Sequence, residues 1–266
     1  MAAAGHEVEL LPGRGLLAAL HGRDRAHQRD VLFLAVPDPA LPAVAAELAA
    51  STLDARTAVV HVSGAFGLDV LAPLSRAGFA VGAFHPLQSF PVERPPAAFH
   101  GSLVALAAGA PELEERLATL ALELGARPRH VGDAQRTPYH AAAVMASNYL
   151  VALAGQAVAV LHAAGWSREE ALTDLLPLME GVLANLRAAG LPGALIGPIR
   201  RGDPATVERH LAALGAAGGQ PGPLVERVYR ILGLAALELA LEAGLDPGAA
   251  EQIRTALTGP PAATGR

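Results

Sequence analysis

Few side chains in this sequence are able to do chemistry, and their types narrow what that chemistry is. There is no cysteine, and all 20 basic residues are arginine, so lysine is absent. Thiolate nucleophiles, zinc–thiolate centres, disulfides, cysteine-held iron–sulfur clusters and lysine Schiff bases are thereby excluded, as is the phosphate-binding lysine of a P-loop. Imidazole, hydroxyl, amide and guanidinium groups are left. His85 stands in FHPLQSF, with Gln88 and Ser89 close behind it, and an imidazole there suits proton donation near neutrality. His140 and Ser147 lie seven residues apart in YHAAAVMASNYLVAL. On a helix they share one stripe with Asn148 beside it, an arrangement able to surround a small substrate. Arg200 and Arg201, in the glycine- and proline-bounded GPIRRGD, offer guanidinium forks suited to a carboxylate.

Each of these has a plainer reading beside the chemical one. A histidine or serine inside an alanine-rich helix is often a core polar group with its hydrogen bonds satisfied. An arginine near a helix end is often a solvated cation, and Ser63-Gly64 is by itself an ordinary strand-to-helix turn. Ten histidines raise the question of a metal. No pair has the spacing of an H-E-x-x-H helix and carboxylates are not clustered near His85 or His140, so no metal site is expected.

The elements that must position these residues fall into two kinds. His6–Leu11, Val31–Val36, Thr57–Val62, Phe79–Phe84 and Leu103–Ala107 read as strands, with a helix over Leu41–Ala50 making a βαβ unit. A further helix over Glu112–Leu124 starts behind Pro111 and closes at Gly125. From about Ala134 strand signals vanish, and helices are expected over Tyr139–Ala164, Arg168–Ala188, Pro204–Leu214 and Leu224–Ala243. Ser167 with Glu170 spells a capping box, and Asp203-Pro204 an N-cap with proline at the first helical position. The expected fold is a parallel α/β domain over residues 1–130 and an all-helical domain over 131–266. In such sheets ligands sit beyond the carboxyl ends of strands, which singles out Val36-Pro37-Asp38 and Ser63-Gly64. Pro37 and Asp38 equally serve to stop a strand and cap a helix.

With 266 residues, 52% of them hydrophobic, the chain is able to bury a substantial core. A net charge of −5 without a basic stripe argues against nucleic acid. The opening MAAAGHEVEL has neither the basic region nor the apolar run of a signal peptide, and the apolar stretch Ala141–Ala154 is interrupted by Ser147, Asn148 and Tyr149. A soluble cytoplasmic protein without a membrane partner is expected.

Taken together, VLFLAVPD (Val31–Asp38), HVSGAFGLDVL (His61–Leu71), FHPLQSF (Phe84–Phe90), YHAAAVMASNYLVAL (Tyr139–Leu153) and GPIRRGD (Gly197–Asp203) resemble the DUF2520 family of predicted oxidoreductases. The resemblance implies a Rossmann-like NAD(P)-binding domain. It also implies a helical domain like those of 6-phosphogluconate dehydrogenase, pyrroline-5-carboxylate reductase and ketopantoate reductase. On that plan Val36, Pro37, Asp38, Ser63 and Gly64 line the path of the dinucleotide. Arg14, with no acid just past Leu11, leans the cofactor towards NADP rather than NAD. Relatives carry an acid/base residue, often lysine, and an amide on the long helix. Here His140 stands in for the lysine and Asn148 supplies the amide. His85 is a second proton donor, Ser147 orients the substrate, and Gln88, Tyr139, Arg200 and Arg201 face it.

The plan's opening strand and G-x-G-x-x-G turn are not found, since MAAAGHEVEL reads directly into the plan's second strand. Either the start lies further upstream or the form has given up the dinucleotide, and the first is preferred because the other motifs stand. The expected function is an NAD(P)-dependent oxidoreductase acting on a small carbonyl, imine or alcohol held between the two domains. The alternative is a non-catalytic binding or regulatory dimer. The apolar helices Tyr139–Ala164 and Leu224–Ala243 suggest a homodimer in either case.

Overall fold

A computed structural model of the chain describes residues 5–8, 31–90, 96–215 and 222–259. It resolves into two compact units, Met1–Ser147 and Asn148–Arg266.

The first unit is built on a five-stranded sheet in the order β1 (Val31–Leu34), β2 (Ala58–His61), β3 (Val81–Leu87), β4 (Leu103–Ala108), β5 (Arg127–His130). Helices α1 (Leu41–Ala49), α2 (Ala72–Arg76) and α3 (Pro111–Glu123) connect the strands. The period of two along β2 shows why its sequence is apolar up to the closing His61. Val59 packs with Leu34, Leu41, Leu48, Leu71 and Leu74 on one face. Its neighbour Val60 packs with Phe84, Leu106, Leu113 and Leu117 on the other. Both faces are covered, as an α/β sheet requires.

β1, β2 and β3 run parallel, with Leu34 opposite His61 and His61 opposite Ala83. Their carboxyl ends therefore share one edge of the sheet. The expectation of a wholly parallel sheet needs correcting at one pair, because β4 runs antiparallel to β3 from Gly82↔Ala108 to Leu87↔Leu103. That pairing extends β3 past Phe84 to Leu87, so His85 lies within the strand opposite Ala105 rather than after it. β5 was not expected because RPRH is charged, which is a common dress for an edge strand. His6, Glu7 and Val8 are not in a strand, and the rest of the strand expected there, with Arg14, lies outside the described residues.

The long helix expected over Tyr139–Ala164 is two helices. α4 (Asp133–Ala146) starts earlier and ends at Ser147, whose backbone turns to φ −119°, ψ −76°, and α5 (Asn148–Ala163) follows. The Ser147 hydroxyl donates to the Ala143 carbonyl at 2.7 Å, a back-bond that bends helices. α4 belongs to the first compact unit, which runs on past residue 130.

The second unit holds α5, α6 (Arg168–Gly193), α7 (Pro204–Gly215), α8 (Pro223–Glu242) and α9 (Pro247–Thr258). The capping box at α6 is made: the Glu170 N–H donates to Ser167 Oγ at 3.2 Å and the Ser167 N–H to Glu170 Oε2 at 2.9 Å. Asp203 caps α7 by accepting the Thr206 N–H at 3.0 Å. Val207, Leu237, Ala240, Ile253 and Leu257 form the core. Among the described residues the stretch Asp133–Ala163 has the length of a membrane span and contains an 18-residue window apolar enough for one, with mean hydropathy 1.6. The break at Ser147 and the polar Arg136, His140 and Asn148 interrupt it.

Candidate functional site

A cleft of about 510 Å³ opens in the first unit at the carboxyl ends of β1, β2 and β3. Val36, Pro37 and Asp38 line it from the end of β1, Ser63 and Gly64 from the end of β2, His85 from β3 and His140 from α4. Parallel pairing alone gathers the three strand ends, and α4 is then docked over them. Asp133, at its start, accepts the Leu68 N–H at 3.0 Å. Gly67 permits the approach, since a Cβ there would stand 2.4 Å from Asp133 Oδ1.

Gly64 plays the same part at the floor of the cleft. A Cβ on it would lie 2.6 Å from His140 Nδ1 and 2.7 Å from His85 Nε2. Any other residue would push both imidazoles away. The other nitrogen of His85, Nδ1, is 2.7 Å from the Tyr139 hydroxyl, and the rings stand edge to face. His140 Nδ1 is buried and makes no hydrogen bond.

Their surroundings hold His85 and Tyr139 neutral. Burial, then the neighbouring His140 and Arg136, push the His85 pKa down to about 4, against an opposing pull from Asp38. Burial raises the Tyr139 hydroxyl to about 12, with Arg136 working the other way. A neutral imidazole and a protonated phenol thus face each other across this contact at physiological pH.

Two residues that sequence reasoning passed over complete the arrangement. His61 is fully buried; its Nε2–H donates to the Gly67 carbonyl at 3.1 Å and its Nδ1 accepts the Ser63 N–H at 3.2 Å. The partners fix that tautomer, and burial keeps the ring below the usual histidine range. Its signal was a histidine at the end of a wholly buried strand. Arg136 is 1% exposed. Its Nε donates to the Val131 carbonyl at 3.2 Å, yet Nη1 and Nη2 are buried without a partner. A guanidinium so placed costs several kcal/mol of desolvation. It stands one helical turn before Tyr139 and His140, and nothing in DAQRTPYH marks it from a solvated arginine.

Gln88 is exposed, donating to the Ala98 carbonyl at 3.1 Å and accepting the Ser89 N–H. Ser63 Oγ accepts the N–H groups of Ala65 and Phe66 and so closes the turn after β2. Ser147 caps the end of α4, the helix that carries His140. Asn148, Arg200 and Arg201 belong to the second unit. There Arg200 donates to the Ala243 carbonyl at 3.1 Å, at the end of α8, while Arg201 is exposed. A broader hollow of about 860 Å³ lies around Trp166 in the second unit. Its Glu170 caps Ser167 and its Asp174 accepts the Trp166 indole N–H, so it is the outside of a helix start. Among the described residues no cluster of three metal-ligating side chains occurs.

Comparison with known proteins agrees with this layout. The model of a domain of unknown function, DUF2520, matches residues 102–236, and that of a Rossmann-like domain matches residues 12–86. No curated protein matches. A candidate NADP oxidoreductase from Bacteroides fragilis is similar at 22% identity with a TM-score of 0.63, over 79% of this chain and 75% of its own. A protein from Thermotoga maritima is similar at 27% identity with a TM-score of 0.62, over 79% of each chain. The pyrroline carboxylate reductase of Plasmodium falciparum, solved with NADP bound, shares the fold at 10% identity and a TM-score of 0.50, over 86% of this chain and 78% of its own. The first unit is Rossmann-like, and a helical region follows it.

Proposed function

Since the chain belongs to the DUF2520 family, we propose that it is a nicotinamide-dinucleotide-dependent oxidoreductase whose reacting centre is the cleft over Gly64. The observation that carries this reading is the convergence of two imidazole nitrogens on Gly64, at the carboxyl edge of three parallel strands. That edge is where doubly wound sheets receive their ligands. The names of proteins that share the fold, an NADP oxidoreductase and an NADP-bound reductase among them, lend it support.

The residues fit such a cofactor. Gly64 leaves backbone bare where a side chain would block a flat ring, and Val36, Pro37, Asp38 and Ser63 supply apolar contact and hydrogen bonds along the wall. Bound there, the dinucleotide would supply or accept hydride. The chain's own work is to orient the substrate and move a proton. His85 and His140 face the cleft, and Tyr139 stands behind His85. The substrate is a small carbonyl, imine or alcohol. NADP is preferred over NAD on account of Arg14.

The protein works in the cytoplasm as a homodimer. An apolar stripe along α6, made of Leu172, Leu176, Leu183 and Leu186, is exposed in the single chain, as is Ile231 on α8. A second copy is the occupant that would bury it.

Fluorescence titration of the full chain with NADPH and NADH tests the reading. Saturable binding with preference for NADPH is expected. No binding of either overturns it and leaves a non-catalytic binding module in its place.

A further inference from the structure

Resting on the oxidoreductase reading, we propose that the cleft works on oxygen: it reduces a carbonyl to an alcohol, or the reverse, and rejects an iminium. In this account Tyr139 is the proton source, acting through His85.

Geometry comes first. His140 Nδ1 and His85 Nε2 both lie within 2.7 Å of the point where a side chain at residue 64 would begin. They are thus close enough for one oxygen atom, placed in the cleft beside that point, to meet both at hydrogen-bond distance. A carbonyl oxygen has two lone pairs and accepts two donors. His140 Nδ1 is buried with no partner in the chain, so an oxygen there would satisfy it. An iminium nitrogen presents the opposite pattern, one N–H donor and a positive charge.

Charge decides the same way. Arg136, buried and with both Nη atoms unpaired, acts on His85 together with His140 more strongly than the opposing Asp38. Asp133, the other nearby carboxylate, is engaged by the Leu68 N–H. His61 is neutral and fixed by its own hydrogen bonds. A field of this sign stabilises an oxygen gaining negative charge and raises the energy of a cation.

The carbonyl carbon gains a hydride, with both its electrons, from a reduced nicotinamide, which is oxidised in turn. The π electron pair moves onto oxygen, and the oxygen takes the Nε2 proton of His85. His85 Nδ1 takes the hydroxyl proton of Tyr139 across the 2.7 Å contact. The tyrosinate, lying in the field of Arg136, is reprotonated from water. This wiring requires His85 to carry its resting proton on Nε2, with Tyr139 donating to Nδ1.

Side-chain ¹⁵N NMR of the histidines, on the full chain, reads this without turnover. The expected result is an Nε2–H tautomer for His85, lost in Tyr139→Phe, and His140 and His85 signals that move on adding cyclopentanone but not pyrrolidinium. An Nδ1–H tautomer, no response to cyclopentanone, or a response to pyrrolidinium alone overturns the proposal. Arg136→Gln should admit pyrrolidinium, and Arg136→Lys should exclude it again, which a merely structural arginine would not do. NADPH binding is scored separately. If it fails while the histidine signals behave as described, the dinucleotide reading falls and the oxygen seat stands.

Discussion

The two units of this molecule depart from the rule of apolar inside and polar outside mainly in opposite directions. In the first, histidine and arginine are buried: His61 and Arg136 are 0% and 1% exposed. In the second, leucine and isoleucine are bare: Leu178 and Ile231 are both 64% exposed. Each departure carries a cost, desolvation of polar groups in one and wetting of hydrocarbon in the other. The contrast separates chemistry from assembly. On the proposed reading, the buried polar groups beside the cleft serve the ligand, and the exposed apolar stripe serves a second copy.

Variants sharpen that division. The largest effect is expected at His85. His85→Ala removes the group between Tyr139 and the cleft, and kcat should fall about 10²–10⁴-fold with a smaller change in KM; steady-state kinetics with an accepted carbonyl substrate check it. Next comes the second unit. Leu176→Glu with Leu183→Glu puts charges on the α6 stripe, and light scattering at micromolar concentration should change from two protomers to one. NADPH binding by the first unit should survive.

Arg136→Met tests the cost of the buried charge. Replacing an unpaired guanidinium by an apolar chain of similar length should be neutral or stabilising by about 1–4 kcal/mol, measured by urea unfolding, while activity declines. A loss of stability greater than about 2 kcal/mol would show that Arg136 is structural.

The smallest effect is on pH dependence. His85 titrates at about 4 in the folded chain and near 6.5 when unfolded. Between those values the unfolded state binds more protons, so stability is lost as pH falls through that window. Its contribution is complete above pH 6.5. Thermal unfolding between pH 7 and 4 should show the decline, and His85→Asn should flatten it.

Much of this fold was legible in the sequence for a local reason. VLFLAV is apolar without a break, and TAVVHV nearly so, because both faces of β1 and β2 are covered. Ser167-x-x-Glu170 and Asp203-Pro204 mark helix starts by chemistry confined to one turn. Long-range features were not legible. β5 is written RPRH and gains its place only from pairing with β4, and the reversal of β4 leaves no mark on its composition. The site divides likewise. Asp38, Ser63, Gly64 and His85 were within reach because strand ends in a parallel sheet must gather. The contact between His85 and Tyr139 joins residues 54 apart, and the burial of Arg136 depends on how α4 is docked. Neither is encoded in a local pattern. The single helix expected over Tyr139–Ala164 is broken at Ser147, where one hydroxyl bonds back to Ala143.

The proposed seat of the nicotinamide dinucleotide is the cleft over Gly64. Calorimetric titration of NADPH into the full chain and into Gly64→Val, each first shown folded by circular dichroism, tests it most directly. The account predicts binding to the first and at least tenfold weaker binding to the second, because the new side chain would stand where the two imidazoles converge. No binding to either chain, or equal binding to both, would contradict it.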